Sequence, residues 1–370
     1  MVKNIKIAHL TSAHARSDIR VFSKECRSLA REFSSVSLIV ADGRGPELVE
    51  GVVIKDVGPS KGRVDRILNT TRRVFHEAVE LNADVYHLHD PELIPIGVKL
   101  KKLGKRVVFD AHEDLPKQIL GKAYLNPLSK LVLSRLLALY ERQTCKKFDG
   151  IVCATPSIRN KFKTMNGSSV DINNYPILGE LSKAGERKAD KNPNICFVGG
   201  MSKIRGVVEV IRAFDLVSSN ARLQLAGEVP GFVATEIGKK VKHNVEAVGY
   251  LDRVAVADLM ANSVAGIVTF LPSPNHLESQ PNKMFEYMSA GLPVIGSDFP
   301  LWRDILEGNK CGICVDPSSP EAIAKAIDYV VTHPEEAEQM GKNGQRAVEQ
   351  VYNWSVEEKK LLEFYQSLLN

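Results

Sequence analysis

Seven residues separate Glu278 from Glu286, and the start of a helix falls between them. In the run 275–298, Pro281 suits the first helical position, while Gly291 followed by Pro293 closes the helix. Glu286 then lies about 8 Å along the axis from the helix start, at about 1.5 Å per residue. Free N–H groups at a helix N-terminus point outward and favour an anion. A carboxylate, a phosphate cradle and a second carboxylate therefore stand in a row. That row suits a nucleotide-sugar: one acid for sugar hydroxyls, the helix end for a diphosphate, one acid for ribose hydroxyls. The bland alternative is an amphipathic surface helix with two acids.

A second constellation follows the strand predicted at 195–199. Gly199-Gly200, with Arg205-Gly206 opening a helix, makes a phosphate-approach loop: glycine admits the ligand to the backbone, and the cation binds a diphosphate. The alternative is a plain strand–turn–helix with a surface arginine. No Gly-x-Gly-x-x-Gly dinucleotide fingerprint occurs here or after the first strand. In the first half of the chain, the predicted strand ends carry His14, Asp18 and Arg20, then His87, His89 and Asp90, then His112 and Glu113. Ligands sit at such ends in parallel sheets. Imidazole and carboxylate are metal ligands, but no Asp-x-Asp pair or His-x-x-x-His helix accompanies them, and acceptor binding is the better role. Asp18, between Arg16 and Arg20, is equally the N-cap of the helix that follows.

These residues need elements to hold them. β-rich runs alternate with helical stretches, so parallel sheets with crossover helices are expected. The predicted strands are 5–10, 36–41, 52–57, 85–89, 106–111 and 151–154, then 195–199, 223–227, 245–249, 266–270, 293–296 and 312–315. At 370 residues the chain should hold two domains, each with its own core. The polar segment 179–193 reads as a linker between an N-terminal domain, 1–178, and a C-terminal domain, 194–353, with a helical tail at 354–370.

Glu-x7-Glu running into Phe-Glu-Tyr-Met-Ser-Ala-Gly-Leu-Pro-Val-Ile resembles the donor-site signature of retaining GT-B glycosyltransferases of family 4. The resemblance implies an α/β fold of the GT-B type, two Rossmann-like domains with parallel sheets facing across a cleft, and a tail packed back on the N-terminal domain. It implies a retaining hexosyl- or N-acetylhexosaminyltransferase that takes a nucleotide-diphosphate sugar, UDP-linked, as donor. The acceptor would be a glycan or lipid-linked oligosaccharide in surface polysaccharide synthesis. Carried over onto this chain, the donor side comprises Gly199, Gly200, Arg205, Tyr250, Leu251, Ser279, Gln280, Asn282, Lys283 and Glu286. Glu278, Arg205, Lys283 and His112 are expected at the reacting centre, and His14, Asp18, Arg20, His89, Asp90, His112 and Glu113 on the acceptor side. No cofactor and no metal is implied, because helix ends and cations neutralise the diphosphate. The chain departs from the family at two places. Ser279-Gln280-Pro281 stands where Phe-Gly or similar is usual, and Gly200 stands where a cation is usual, with Lys283 as its substitute. Two rivals share the features: an epimerase of the UDP-N-acetylglucosamine 2-epimerase type and a non-catalytic nucleotide-sugar-binding protein.

Hydrophobic content of 44% with 25% charge is that of a soluble globular protein, and no 18-residue apolar stretch or signal peptide is present, so a cytoplasmic protein is expected, either free or peripheral on the inner face of the cytoplasmic membrane. Six scattered cysteines read as buried thiols, with Cys311-Gly-Ile-Cys314 as part of a core strand. Residues 1–175 carry 29 Lys and Arg against 19 Asp and Glu, while the remainder carries 20 against 25. A basic half points to an anionic partner; nucleic acid lacks any supporting motif, and an anionic membrane or a diphosphate-bearing acceptor fits better. In the stretch 117–147, cations lie among leucines. Its spacing suits a core-packed crossover helix first and a membrane-surface helix second.

Overall fold

The computed structural model describes residues 3–122, 125–181, 193–239 and 244–370. The chain divides into two compact units, Met1–Asn174 with Val356–Asn370, and Tyr175–Ser355. Of the expected linker, residues 182–192 lie outside the described residues.

The first unit is built on an eight-stranded sheet: β1 (Lys3–Leu10), β2 (Phe33–Val40), β3 (Glu47–Val49), β4 (Val52–Asp56), β5 (Val85–Leu88), β6 (Arg106–Ala111), β7 (Gly150–Cys153) and β8 (Ser169–Asp171). Their order is β3-β4-β2-β1-β5-β6-β7-β8, parallel except for the β3–β4 pair. Strands β5 and β7 are wholly buried, which is why they read as short apolar runs without alternation. The helix Trp354–Leu369 belongs to this unit from Val356 onward. The Tyr365 hydroxyl lies 2.9 Å from His87 Nδ1. Phe364 fills the space beside Gly150, where a Cβ would fall 2.4 Å from the ring.

The second unit holds β9 (Asn194–Val198), β10 (Arg222–Ala226), β11 (Val245–Gly249), β12 (Ala265–Val268), β13 (Val294–Ser297) and β14 (Gly312–Val315), in the order β11-β10-β9-β12-β13-β14. Every neighbouring pair is parallel. Helices cover both faces: Phe214 and Ile323 pack with Ile195 and Leu223 on one side, Tyr287 and Trp302 with Cys196 and Val294 on the other. Two Rossmann-like α/β units thus form as expected.

All twelve expected strands are present. The two not foreseen, β3 and β8, are three-residue edge strands with no apolar pattern to announce them. Two helix expectations need correction. The helix of the double-carboxylate segment is Asn282–Ser289, so Pro281 is its N-cap and not its first residue. The leucine-rich stretch is not a core-packed crossover. It forms helices Leu115–Leu120 and Pro127–Cys145, and the longer one buries only Glu141 and Cys145.

Candidate active site

In the second sheet the strand order reverses between β9 and β12, so the loops leaving their C-terminal ends diverge and open a crevice. The loop after β9 carries Gly199 at φ 120°, and Lys283 reaches across it: a Cβ on Gly199 would lie 3.6 Å from Lys283 Cε. Gly206, at φ 68°, closes the loop where a Cβ would fall 1.9 Å from the Thr269 carbonyl oxygen, so no other residue fits. Arg205 is exposed; its Nη1 donates to the Gly200 carbonyl at 3.1 Å and its guanidinium lies 5.7 Å from the Phe270 ring. An exposed cation is therefore carried on a glycine-framed turn.

Opposite stands the N-terminus of Asn282–Ser289. Met284, Phe285, Tyr287 and Met288 bury one side of this helix, and the Tyr287 hydroxyl accepts from the Val198 N–H of β9 at 2.8 Å. Gly291, at φ 73°, ends it. Glu286 is only 5% exposed, yet its carboxylate takes Arg253 Nη1 at 2.9 Å and the Lys283 ammonium. Burial alone would raise its pKa. Lys283 and Arg253 outweigh burial and hold it below the usual range. An ionised carboxylate is acceptor-only, which suits it to sugar or ribose hydroxyls. Glu278 and Asn282 are exposed at the same end, and Tyr250 is 85% exposed after β11 with Leu251 half-buried beside it. Ser279 and Gln280 hold the loop: the Ser279 carbonyl accepts from Trp302 Nε1 at 2.7 Å, and Gln280 Oε1 accepts from the Tyr175 hydroxyl at 2.9 Å.

In the first sheet the order reverses between β1 and β5, and their ends bring a polar cluster together. His9 Nδ1 lies 2.8 Å from His89 Nε2, and His89 Nδ1 lies 3.2 Å from Asp110 Oδ2. Asp110 also takes His112 Nε2 at 2.7 Å and a bidentate Arg20 at 2.7 and 2.9 Å. Burial would push the Asp110 pKa up; Arg20, then the histidines, overcome it and keep the carboxyl ionised. Glu25, 3.2 Å from the Arg20 Nε, goes the other way. Burial and the Asp110 charge raise its pKa well above normal against the pull of Arg20, whose paired bonds go to Asp110. Beside this cluster, Asp90 accepts from the Thr11 hydroxyl at 2.8 Å and the Ser12 N–H at 2.6 Å, and lies 3.0 Å from His14 Nδ1. Burial opposes the imidazolium, but the Asp90 bond prevails and the His14 pKa is raised.

Two family models match the chain. Residues 20–172 fit Glycosyltransferase Family 4, and residues 180–347 fit Glycosyl transferases group 1. The chain is a GT-B glycosyltransferase of the family 4 type. An uncharacterized glycosyltransferase from Methanocaldococcus jannaschii is 24% identical over 303 residues, covering 76% of this chain and 75% of its own. Sucrose-phosphate synthase from Thermosynechococcus elongatus superposes with a TM-score of 0.81 at 15% identity, over 99% of both chains. Anabaena HepE in complex with UDP and glucose does so with a TM-score of 0.76 at 12% identity, over 98% of this chain and 100% of that one. Those two likenesses concern the fold.

As a glycosyltransferase the protein is an enzyme, which sets aside the non-catalytic reading. The residues expected on the acceptor side differ in exposure. Arg20, His89 and Asp90 are 4%, 1% and 3% exposed, and their side chains are engaged within the cluster: Arg20 and His89 with Asp110, and Asp90 with Thr11, Ser12 and His14. Asp18 is an N-cap, accepting from the N–H groups of Arg20 and Val21 at 2.9 Å each. His14 and His112, half-buried, and Glu113, exposed, stand at the surface. Arg253 escaped sequence reasoning. It also binds Glu180 at 2.8 Å, and its one signal was its place two residues after Leu251 at the end of β11. Glu25 was missed as well, because a buried acid on an amphipathic helix looks like an ordinary position. All six cysteines are free; burial pushes the Cys311 and Cys314 thiols up to about 12, far from a thiolate ligand.

Proposed function

We propose that this glycosyltransferase moves a hexosyl or N-acetylhexosaminyl group, with retention, from a UDP-sugar to a glycan or lipid-linked oligosaccharide in surface polysaccharide synthesis. The observation that carries the reading is the ionised, nearly buried Glu286 beside Lys283, with Lys283 lying across the Gly199 loop at the switch point of the second sheet. Glu286 accepts from the ribose hydroxyls, and Tyr250 and Leu251 line the base side. Gly199 and Gly200 let the diphosphate approach the backbone. Arg205, Lys283 and the helix N-terminus stabilise the charge that develops on it as the bond to C1 breaks. Glu278 accepts from hydroxyls of the transferred sugar. The acceptor oxygen forms its bond to C1 on the face the diphosphate leaves, and a leaving-group phosphate oxygen takes the acceptor proton. His112 orients the sugar, while His14 and Glu113 meet the acceptor. The UDP and glucose named for the HepE complex support the choice of UDP. The enzyme works in the cytoplasm, at the face of the membrane that bears its acceptor.

Incubation with a UDP-sugar and a glycan acceptor, read by NMR, should give a product with the donor's anomeric configuration. An inverted linkage would refute retention. A 2-epimerised sugar formed without acceptor would revive the epimerase. No metal enters this scheme. Of the two clusters with ligand-type side chains among the described residues, His9–Glu25–His87–His89 and His89–Asp110–His112, both lie beside Arg20, which supplies a positive charge at Glu25 and Asp110. Activity should therefore survive excess chelator. A chelated enzyme that is inactive and recovers with added divalent metal would overturn this.

A further inference from the structure

Two segments of the first unit combine exposed apolar side chains with cations. On the helix Pro127–Cys145, Leu128, Leu131, Val132, Leu136 and Leu139 are 44–72% exposed. The only carboxylate of that helix, Glu141, is buried and paired with Lys161 at 2.6 Å, so every charge the helix presents is positive: Lys130, Arg135 and Arg142. A second segment repeats the chemistry. Val64, Ile67 and Leu68 are 70%, 44% and 62% exposed, with Arg63, Arg66 and Arg72 among them. The one acid there, Asp65, is engaged by the Lys61 N–H and the Asn69 amide at 2.8 Å each.

Both segments are tied to the rim of the polar cluster. Arg66 Nε lies 2.7 Å from Glu92, which also accepts from Ser12 at 3.1 Å, next to Asp90 and His14. On the other side, the chain runs from His112 and Glu113 to Asp114, which caps the helix Leu115–Leu120, and Ser134 Oγ donates to the Pro116 carbonyl at 3.0 Å to hold the longer helix beside it. The candidate acceptor side is thus flanked by two apolar, basic segments.

We infer that the first unit docks on an anionic lipid bilayer through the helix Pro127–Cys145, which lies in the headgroup layer. The charge pattern selects the occupant. A second copy of the chain would set the cations of one helix against those of the other, with no exposed carboxylate on either to pair them. A soluble polyanion would satisfy the cations but leave five large apolar side chains in water. A bilayer offers phosphates at the level of the cations and hydrocarbon beneath them. Among the described residues no helix is long and apolar enough to cross a membrane, so the contact is interfacial. Its purpose rests on the acceptor-side reading above, bringing a lipid-borne acceptor to His14 and His112; the docking itself does not.

The test is flotation of the full chain with vesicles of phosphatidylcholine alone and of phosphatidylcholine with phosphatidylglycerol, with transfer to a short water-soluble glycan measured in parallel. Wild type should partition to the anionic vesicles and lose that binding as salt rises, since surface attraction decays within about 10 Å at about 0.1 M. Lys130→Glu/Arg135→Glu should weaken partitioning at least about thirtyfold, at the usual strength of two surface cations. Leu131→Ser/Leu136→Ser should weaken it at least about tenfold. Both variants should keep transfer to the soluble acceptor. Equal binding by wild type and variants, no binding to either vesicle, or a dimer in solution that the leucine variant converts to monomer would overturn the inference. Loss of transfer with a soluble acceptor in wild type would strike the proposed function and leave vesicle binding to be read by itself.

Discussion

Arg205→Ala is expected to lower kcat about a hundred- to a thousandfold, the loss seen when one preorganised group facing a developing oxyanion is removed. Arg205 sits on a turn fixed by Gly206 and held to the end of the neighbouring strand by the Leu271 N–H, which donates to the Ile204 carbonyl at 2.9 Å. Its own side chain is exposed and bonded only to the Gly200 carbonyl among the described contacts. Stability should therefore change by less than about 0.5 kcal/mol, as at an ordinary surface position. KM for the donor should rise far less than kcat falls, because the leaving diphosphate gains charge only as the bond to C1 breaks. A lysine offers a point charge without the planar fork, so Arg205→Lys should recover part of the rate. Steady-state kinetics with varied donor decide the matter: a kcat within threefold of wild type would remove Arg205 from the chemistry. Lys283→Ala is a less clean probe, because it also strips Glu286 of a partner.

Arg20→Leu should cost about 3–5 kcal/mol of stability, the range for removing one member of a buried ion pair. The substitution leaves the Asp110 carboxylate, 1% exposed, without its guanidinium partner and beside the imidazoles of His89 and His112, and also removes the bond to the Ile172 carbonyl at 2.7 Å. For a unit of this size, melting should fall by roughly 6–20 °C. Replacing both partners, as Arg20→Met/Asp110→Asn, should recover part of the loss, since the unpaired charge is then gone. Scanning calorimetry of the three proteins checks it. An unchanged melting temperature for Arg20→Leu would mean that the paired geometry contributes nothing net.

The sequence made the architecture legible because the central strands of both sheets are parallel and buried on both faces. Their strands are short apolar runs such as Val85–Leu88 and Ala265–Val268, separated by helices long enough to cross over. The double-carboxylate helix was legible for a different reason: Pro281, Gly291 and Pro293 punctuate it, and those residues act locally. Tertiary partners were not legible. Nothing near Glu286 in the sequence announces Arg253, 33 positions away, and nothing near Arg20 announces Asp110, 90 positions away. Arg20 and Asp18 therefore read as ligand-facing, although one is an internal counter-ion and the other a helix cap. The helix Pro127–Cys145 failed in the opposite sense. Its leucines recur at spacings that a core stripe and a membrane face share, and periodicity cannot say which side of a helix finds a neighbour.

At the centre of the proposal is the claim that Glu286, at the helix between two carboxylates, holds a nucleotide-sugar. Calorimetric titration of UDP into wild type and Glu286→Ala, both first shown to melt at the same temperature, measures this without need of an acceptor. Glu286→Ala should bind UDP more weakly by about 1.5–3 kcal/mol, the strength of hydrogen bonds to a charged group, or roughly 10–150-fold in Kd. Equal affinity in the two proteins would contradict the ribose role and with it the placement of the donor.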